Sequence, residues 1–313
     1  MKRFIFLLIL STGMAFGGIA QSQPTLINPT IETFNAYWYP KGAEISRFTL
    51  EQARYGEIHQ GDAVFIFVTE SMIPGIQVKA DQPDDGDIPV LKLNAVRKFF
   101  TGIYPYSVMT SVFSPVDFRN RPLPLKITFS GQEWCGQVWV QLNLKEDAYQ
   151  VQSYSYFEKE ADQRFLIENA VSEDSLWNRI RLAPATLPVG RFHMIPGILY
   201  SRFRHAGLSP LPAEAQLTSS RKRSLEGHPL TEYRIRVPQH GRTLVILFET
   251  AFPHRIQGWT DTYPDGVGDG ARRLTTRADR THTLMTDYWN KNRNLDRSLL
   301  KRLGIDWRGE RLR

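Results

Sequence analysis

Asp62-Ala63-Val64-Phe65-Ile66-Phe67-Val68-Thr69 is the stretch on which the fold class turns. It is β-branched and aromatic, follows Gly61, and is closed by the turn signal Pro74-Gly75, so it reads as a strand. Period-two patterning continues outward across residues 44–156. Pro89-Val90-Leu91-Lys92-Leu93-Asn94 resumes after the acidic turn Asp84-Asp85-Gly86-Asp87. Residues 101–116 run almost free of charge, and 125–129 alternates Leu125, Ile127 and Phe129 with Lys126 and Thr128. Residues 138–142 and 149–157 continue the pattern. Many half-buried antiparallel strands account for it.

Strand patterning returns at 232–237 and 242–250, around the hairpin-length turn Pro238-Gln239-His240-Gly241, and continues over 252–259. Between these regions, Ser172 is a candidate N-cap for a helix over 172–182, with Glu173 and Asp174 in its first turn and Leu176, Trp177 and Ile180 on one face. Residues 184–212 hold five prolines and three glycines and read as a connection with short pieces. Residues 261–270 read as a Gly/Asp loop. Residues 281–303 are the best long helix candidate, stopped by Gly304, with Leu284, Tyr288, Leu295, Leu299 and Leu303 near helical spacing. The expected fold is mainly β: a large curved antiparallel sheet or incomplete barrel with a few peripheral helices.

The chain has 313 residues, 42% hydrophobic and 23% charged, which suits a globular protein and excludes a disordered or collagen-like one. Aromatic residues reach 12%, in keeping with a β-rich core. A single cysteine excludes an internal disulfide framework and a zinc site built on several thiolates.

Met1-Lys2-Arg3, the apolar run 4–10 and the small residues ending Gly18-Ile19-Ala20 form the three parts of a secretory signal peptide. The run is far shorter than the ~20 residues a spanning helix needs, and no second hydrophobic span follows. Cleavage near Ala20, a mature chain from Gln21 and a periplasmic or secreted location are expected. The division is then 1–20 leader, 21–270 β-rich domain (with possible lobes 21–185 and 186–270), and 271–313 basic C-terminal helix and tail. Formal charge is +7. Residues 271–313 hold 12 Lys or Arg against 5 Asp or Glu. Setting aside that excess of seven and the two leader cations leaves the body at −2.

Glu133-Trp134-Cys135-Gly136 is the most distinctive tetrapeptide. Cys135 is a weak nucleophile candidate with Glu133 beside it; a small buried hydrophobe next to Trp134 is the favoured account. Asp265-Gly266-Val267-Gly268-Asp269-Gly270 lacks the EF-hand oxygens, since Val267 and Thr276 occupy the third and twelfth positions, and reads as a turn with solvated carboxylates. His59, His193, His205, His228, His240 and His254 show no i, i+4 pair and no HExxH, so no metal and no cofactor is expected. Walker A, Gly-x-Ser-x-Gly and Rossmann patterns are absent from the sequence. The carboxylate pairs Glu44 with Glu51 and Glu158 with Glu160 carry no distance information. Arg221-Lys222-Arg223 and Arg202-Phe203-Arg204-His205 are basic patches, and export removes nucleic acid as a partner.

Tyr104-Pro105-Tyr106-Ser107-Val108-Met109-Thr110-Ser111 and Gln132-Glu133-Trp134-Cys135-Gly136, with Gln52-Ala53-Arg54-Tyr55-Gly56-Glu57 upstream, resemble a family of exported Bacteroidetes proteins. Its members often carry the label "septum formation inhibitor Maf", and the resemblance covers most of 35–260. True Maf proteins are cytoplasmic nucleotide pyrophosphatases with a Ser-x-Ser-Pro-Arg-Arg stretch, which Ser22-Gln23-Pro24 does not match, so the resemblance implies no catalytic residues. Residues 233–259 also resemble periplasmic β-rich proteins of the lipoprotein-carrier type, which implies a curved sheet holding an apolar ligand.

A sheet with one apolar face needs a helix, a second sheet or a ligand to cover it. The first expectation is therefore an envelope protein that binds an apolar or amphipathic ligand, against residues such as Phe65, Phe67, Tyr104, Tyr106, Trp139 and Tyr154, or that has a structural role. An envelope hydrolase using Cys135 or a histidine and carboxylate is the alternative. Arg293, Arg297, Lys301 and Arg302, continued by Arg308, Arg311 and Arg313, are expected on the outer side of the helix at 281–303, as a solvated face in the simpler reading or against an anionic envelope surface in the sharper one.

Overall fold

A computed structural model describes residues 23–146, 148–266 and 268–305. The leader, Val267 and the arginines at 308, 311 and 313 lie outside the described residues. The chain is mainly β, with 54% of residues in strands and 16% helical, and forms one sheet of 16 strands that does not close into a barrel. No helix among the described residues is long and apolar enough to cross a membrane.

The strands in chain order are β1 (Ala43–Arg54), β2 (Glu57–Ile73), β3 (Val78–Lys79), β4 (Ile88–Thr101), β5 (Tyr104–Pro115), β6 (Lys126–Glu133), β7 (Gly136–Lys145), β8 (Ala148–Ser155) and β9 (Gln163–Glu168). They continue with β10 (Val171–Ser172), β11 (Gly190–Ile195), β12 (Leu211–Arg223), β13 (Pro229–Val237), β14 (Arg242–Glu249), β15 (Ile256–Asp265) and β16 (Arg272–Thr286). The helices are α1 (Ile31–Trp38), α2 (Glu173–Leu182), α3 (Ile198–Arg204) and α4 (Ser298–Arg302).

The sheet order explains the shape. The chain starts at the middle with β1 and meanders through β2 and β4 to β9 at one edge, β3 pairing only with β2. It then crosses to the opposite edge at β10 and meanders back to β16, which pairs antiparallel with β1 from Ala43↔Thr286 to Glu51↔Arg277. Only the short β10–β11 pair is parallel.

α2 follows β10 and leads over to the parallel β11, and all ten of its residues are buried. Ser172 sits at its N-cap as the sequence indicates, though its side chain makes no capping bond. Leu176, Trp177 and Ile180 join one apolar cluster with side chains from both wings of the sheet, among them Tyr149 and Val151 of β8 and Ala213 and Ala215 of β12. Phe65 and Trp259 stack 4.9 Å apart, and Trp177 meets each edge-on at 5.3 and 5.5 Å. Asn178, fully buried, donates to Leu91 O at 2.8 Å and Ser114 Oγ at 3.1 Å, which ties the helix to β4 and β5. The sheet curves because this cluster draws its two wings onto one helix.

Two sequence expectations are corrected. Residues 281–303 are not one helix: β16 continues to Thr286, 3-10 turns follow, and α4 spans only Ser298–Arg302. The helical spacing is real but local. Leu284, Tyr288, Leu299 and Leu303 pack against Ala43, Ile45 and Val68, whereas Leu295 is 88% exposed. β-branched Thr283 and Thr286, which pair with Ser46 and Ala43 of β1, favour strand instead. Residues 261–265 also belong to β15 and not to a loop, and Asp265 is buried, accepting from Gly56 N at 2.8 Å.

Candidate functional site

α3 lies across the concave face of the sheet and is held there by polar contacts along its length. At its start Asp174 Oδ2 accepts from Ile198 N at 2.9 Å. Near its end Arg54 donates to Phe203 O at 2.6 Å, Arg202 pairs with Glu160 at 2.8 Å, and Arg204 pairs with Asp265 at 3.2 Å. His205 follows in the left-handed region with φ 50°, its Nδ1 2.5 Å from Glu160 Oε1. Phe203 points down, edge-on to Phe99 and Tyr106 at 6.1 and 5.9 Å.

Three spaces lie in series beneath α3. An inner cavity of about 40 Å³ sits between α2 and the sheet, bordered by Arg97, Asp174, Trp177, Tyr200 and Phe203. A pinch of about 10 Å³ shares Val108 and Phe203 with it. An open groove of about 230 Å³ shares Val138 and Arg202 with the pinch. The inner cavity holds a water or two and no more. The groove is larger. Its floor is Val138, Val140, Phe165 and Ile198, and its rim carries Lys159, Glu160, Arg202 and His205.

The inner cavity is electrostatically dense. Arg242 spans Glu173 at 2.6 and 2.7 Å and Asp261 at 2.7 and 2.8 Å, all three buried. Its guanidinium also lies 3.9 Å from the centre of the Tyr200 ring. Asp174 has no cation in bonding reach among the described residues; burial, and then the neighbouring Glu173 charge, push its carboxyl up to about 7. Burial likewise raises Asp261, against the pull of Arg242. Arg97 is placed over Trp259 at 5.0 Å, and burial lowers its affinity for a proton.

The candidate residues from the sequence are scattered by this geometry. Phe65, Phe67 and Tyr106 face the concave core, with Phe65 bordering the inner cavity and Tyr106 the pinch; Tyr104 is half-buried near them. Trp139 and Tyr154 stand on the opposite face, 36% exposed and paired with each other at 5.9 Å. Cys135 is exposed in the β6–β7 turn, not buried beside Trp134. Glu133 accepts from Cys135 N at 2.6 Å, and its nearby charge raises the thiol pKa, which disfavours thiolate. Arg293, Arg297, Lys301 and Arg302 are exposed around α4, on no common helical face.

Three residues bring metal-ligating atoms within 4.8 Å of one another: Glu226, His228 and Glu249. Arg280 already occupies that position, donating to both Glu226 oxygens at 2.7 and 2.5 Å from a fully buried side chain. The cluster is an ion-pair network.

Sequence reasoning passed over Arg242 and Asp261. Their signal is readable in retrospect: Arg242 alternates with Leu244, Ile246 and Phe248, and Asp261 with Trp259 and Tyr263. Each is a charge at an inward position of an apolar strand. Comparison with known families, curated proteins and solved structures returns no match.

Proposed function

We propose that the protein binds an amphipathic small molecule on its concave face, with the apolar part on Val138, Val140 and Phe165 and an anionic end at Lys159, Arg202 and His205. The observation that carries this reading is the groove itself: an apolar floor and a rim that carries Lys159 with the Arg202–Glu160–His205 cluster, leading under α3 through shared residues to an inner cavity. Its volume lies just below the range of small-molecule sites, ~300–1,000 Å³. A rise of α3 would open these spaces to one another, since Phe203 borders the inner cavity and the pinch and Arg202 borders the pinch and the groove. The leader-like residues 1–20 support a role outside the cytoplasm. Cys135 gives the hydrolytic alternative little support, because the hydrogen bond and charge of Glu133 raise the exposed thiol's pKa and make the thiolate less available.

The test is fluorescence titration of the detergent-free protein with cis-parinaric acid, a naturally fluorescent long-chain carboxylic acid. Saturable binding is expected, weakened about tenfold or more in both Phe165→Glu and Lys159→Glu. Phe165 is already 37% exposed, so its replacement leaves the core intact. Absence of saturation, or binding that both variants leave unchanged, would overturn the reading.

A further inference from the structure

The outer face of the β12–β16 wing carries a second feature, independent of the groove. Along these strands Tyr233, Leu244, Ile246, Trp259 and Tyr263 point into the core, which sends their alternating neighbours outward. The ladder register then sets Arg234, Val245, Thr260 and Arg277 in one row across four strands, and Arg236, Thr243, Thr262 and Thr275 in the next. Three strand spacings put the outer members of each row about 14 Å apart.

Short side chains fill the two middle strands and long cations stand on the flanking ones. The result is a trough of about 320 Å³ with Thr243, Val245, Leu247, Thr260 and Thr262 on its floor and Lys222, Arg234 and Arg273 on its walls, Glu232 standing beside Arg234. Val245 is only 9% exposed although it faces outward, as expected if the wall side chains stand over it. Two cations have weak local partners: Arg234 with Glu232 at 2.5 Å, and Arg277 with Glu51 at 3.8 Å, all four being partly exposed. Lys222, Arg236 and Arg273 make no ion pair among the described residues; Arg273 donates to the Gly241 carbonyl at 2.6 Å.

We propose that this trough binds an acidic polysaccharide. Cations on two sides of a hydroxyl-bearing floor, Lys222 and Arg234 on one and Arg273 and Arg277 on the other, match a chain that carries both carboxylates or sulfates and sugar hydroxyls. Arginine forks suit such oxyanions, and threonine hydroxyls both donate and accept. A flat anionic bilayer would meet the cationic walls but not the recessed threonines, and the apolar side chains of the trough, Val245 and Leu247, sit on its middle strand between those walls.

The experiment measures binding of the full protein to polygalacturonate and, separately, to phosphatidylglycerol vesicles, at low and high salt. Lys222→Gln, Arg234→Gln and Arg273→Gln together remove the three cations that line the trough. Arg293→Gln, Lys301→Gln and Arg302→Gln remove the same number from the C-terminal segment as a control. Both triple variants are first shown to melt as the parent does, and if Arg273→Gln perturbs its turn, Arg277→Gln replaces it. The expected result is polysaccharide binding that weakens with salt, falls about tenfold or more in the trough variant, and stays within about twofold in the control. Equal loss in both variants would reduce the effect to net charge and overturn the site. Vesicle binding tighter than polysaccharide binding, and lost in the trough variant, would overturn the ligand class.

Discussion

Arg181, at the penultimate position of α2, and Glu44, near the start of β1, form a two-pronged ion pair at 2.6 and 2.8 Å with both side chains 1% exposed. Burial opposes the charge on Glu44, yet Arg181, Tyr37 and Arg255 together hold its carboxyl below the usual range. Arg181 also lies over Trp38 and Phe67 at 5.0 and 4.7 Å. One contact therefore joins the crossover helix, the first helix and the central strand.

Removing Arg181 leaves the buried Glu44 carboxylate under-compensated, with only the Tyr37 hydroxyl and Arg255, 3.4 Å away, to hold it. Arg181→Met is expected to cost about 3–5 kcal/mol in urea unfolding. Adding Glu44→Leu to it should recover part of that loss, because the uncompensated carboxylate is gone. A single variant within error of the parent would show that the pair does not hold α2.

Asp174 sets a pH dependence. Its folded pKa, about 7, lies above the unfolded carboxylate value of ~3.9. Between these the folded state holds the extra proton, so this group's contribution is full below pH ~4 and is lost as pH rises to about 7. His254 works oppositely: burial lowers it to about 4, so its contribution is lost as pH falls from ~6.5 toward 4. The two oppose each other in the parent. Comparison with Asp174→Asn removes the histidine from the difference, and the variant should gain on the parent by up to about 1.4 kcal/mol per pH unit between pH 5 and 7. Parallel stability curves would refute this.

Gly197 precedes α3 where a Cβ would lie 2.6 Å from Glu173 Oε1 and 3.3 Å from Asp174 Oδ1. Both carboxylates are already fixed by Arg242 and Ile198. Gly197→Ala should cost about 1–3 kcal/mol through this overpacking. It should also raise amide exchange in α3 before that of β4, since it pries up the segment over the inner cavity. Uniform exchange changes would indicate global destabilisation alone.

Cys135 should react slowly with iodoacetamide at pH 8 despite its exposure, because Glu133 disfavours the thiolate. Glu133→Gln should speed labelling. Cys135→Ser should leave the melting temperature unchanged, since the side chain packs against no core. A nucleophile paired with a histidine would show the reverse, with fast labelling in the parent.

The strands were legible because their signal is local. The strand read at 62–69 and the hairpin across residues 238–241 follow from alternation and turn residues alone, and α2 from its cap and one apolar face. Residues 281–303 failed because a leucine spacing near 3.6 was weighed without the ladder that β1 offers from 230 or more residues away. Of the candidate ligand aromatics, period two alone cannot tell which face is inner: Phe65 and Trp139 occupy equivalent alternating positions, and only Phe65 faces the core.

By itself the sequence determined the class of structure, since side-chain period and turn chemistry act over a few residues: a mainly antiparallel sheet, crossed by a helix at 173–182. Tertiary structure alone decided the strand order, the curvature and the sites. Closing β16 onto β1 and burying α2 depend on pairings between residues far apart in the chain. The same closure sets Arg242 between Glu173 and Asp261, and stands Lys222, Arg234 and Arg273 around one trough. Charges at alternating positions reveal which face they occupy only once packing has chosen the face that is dry.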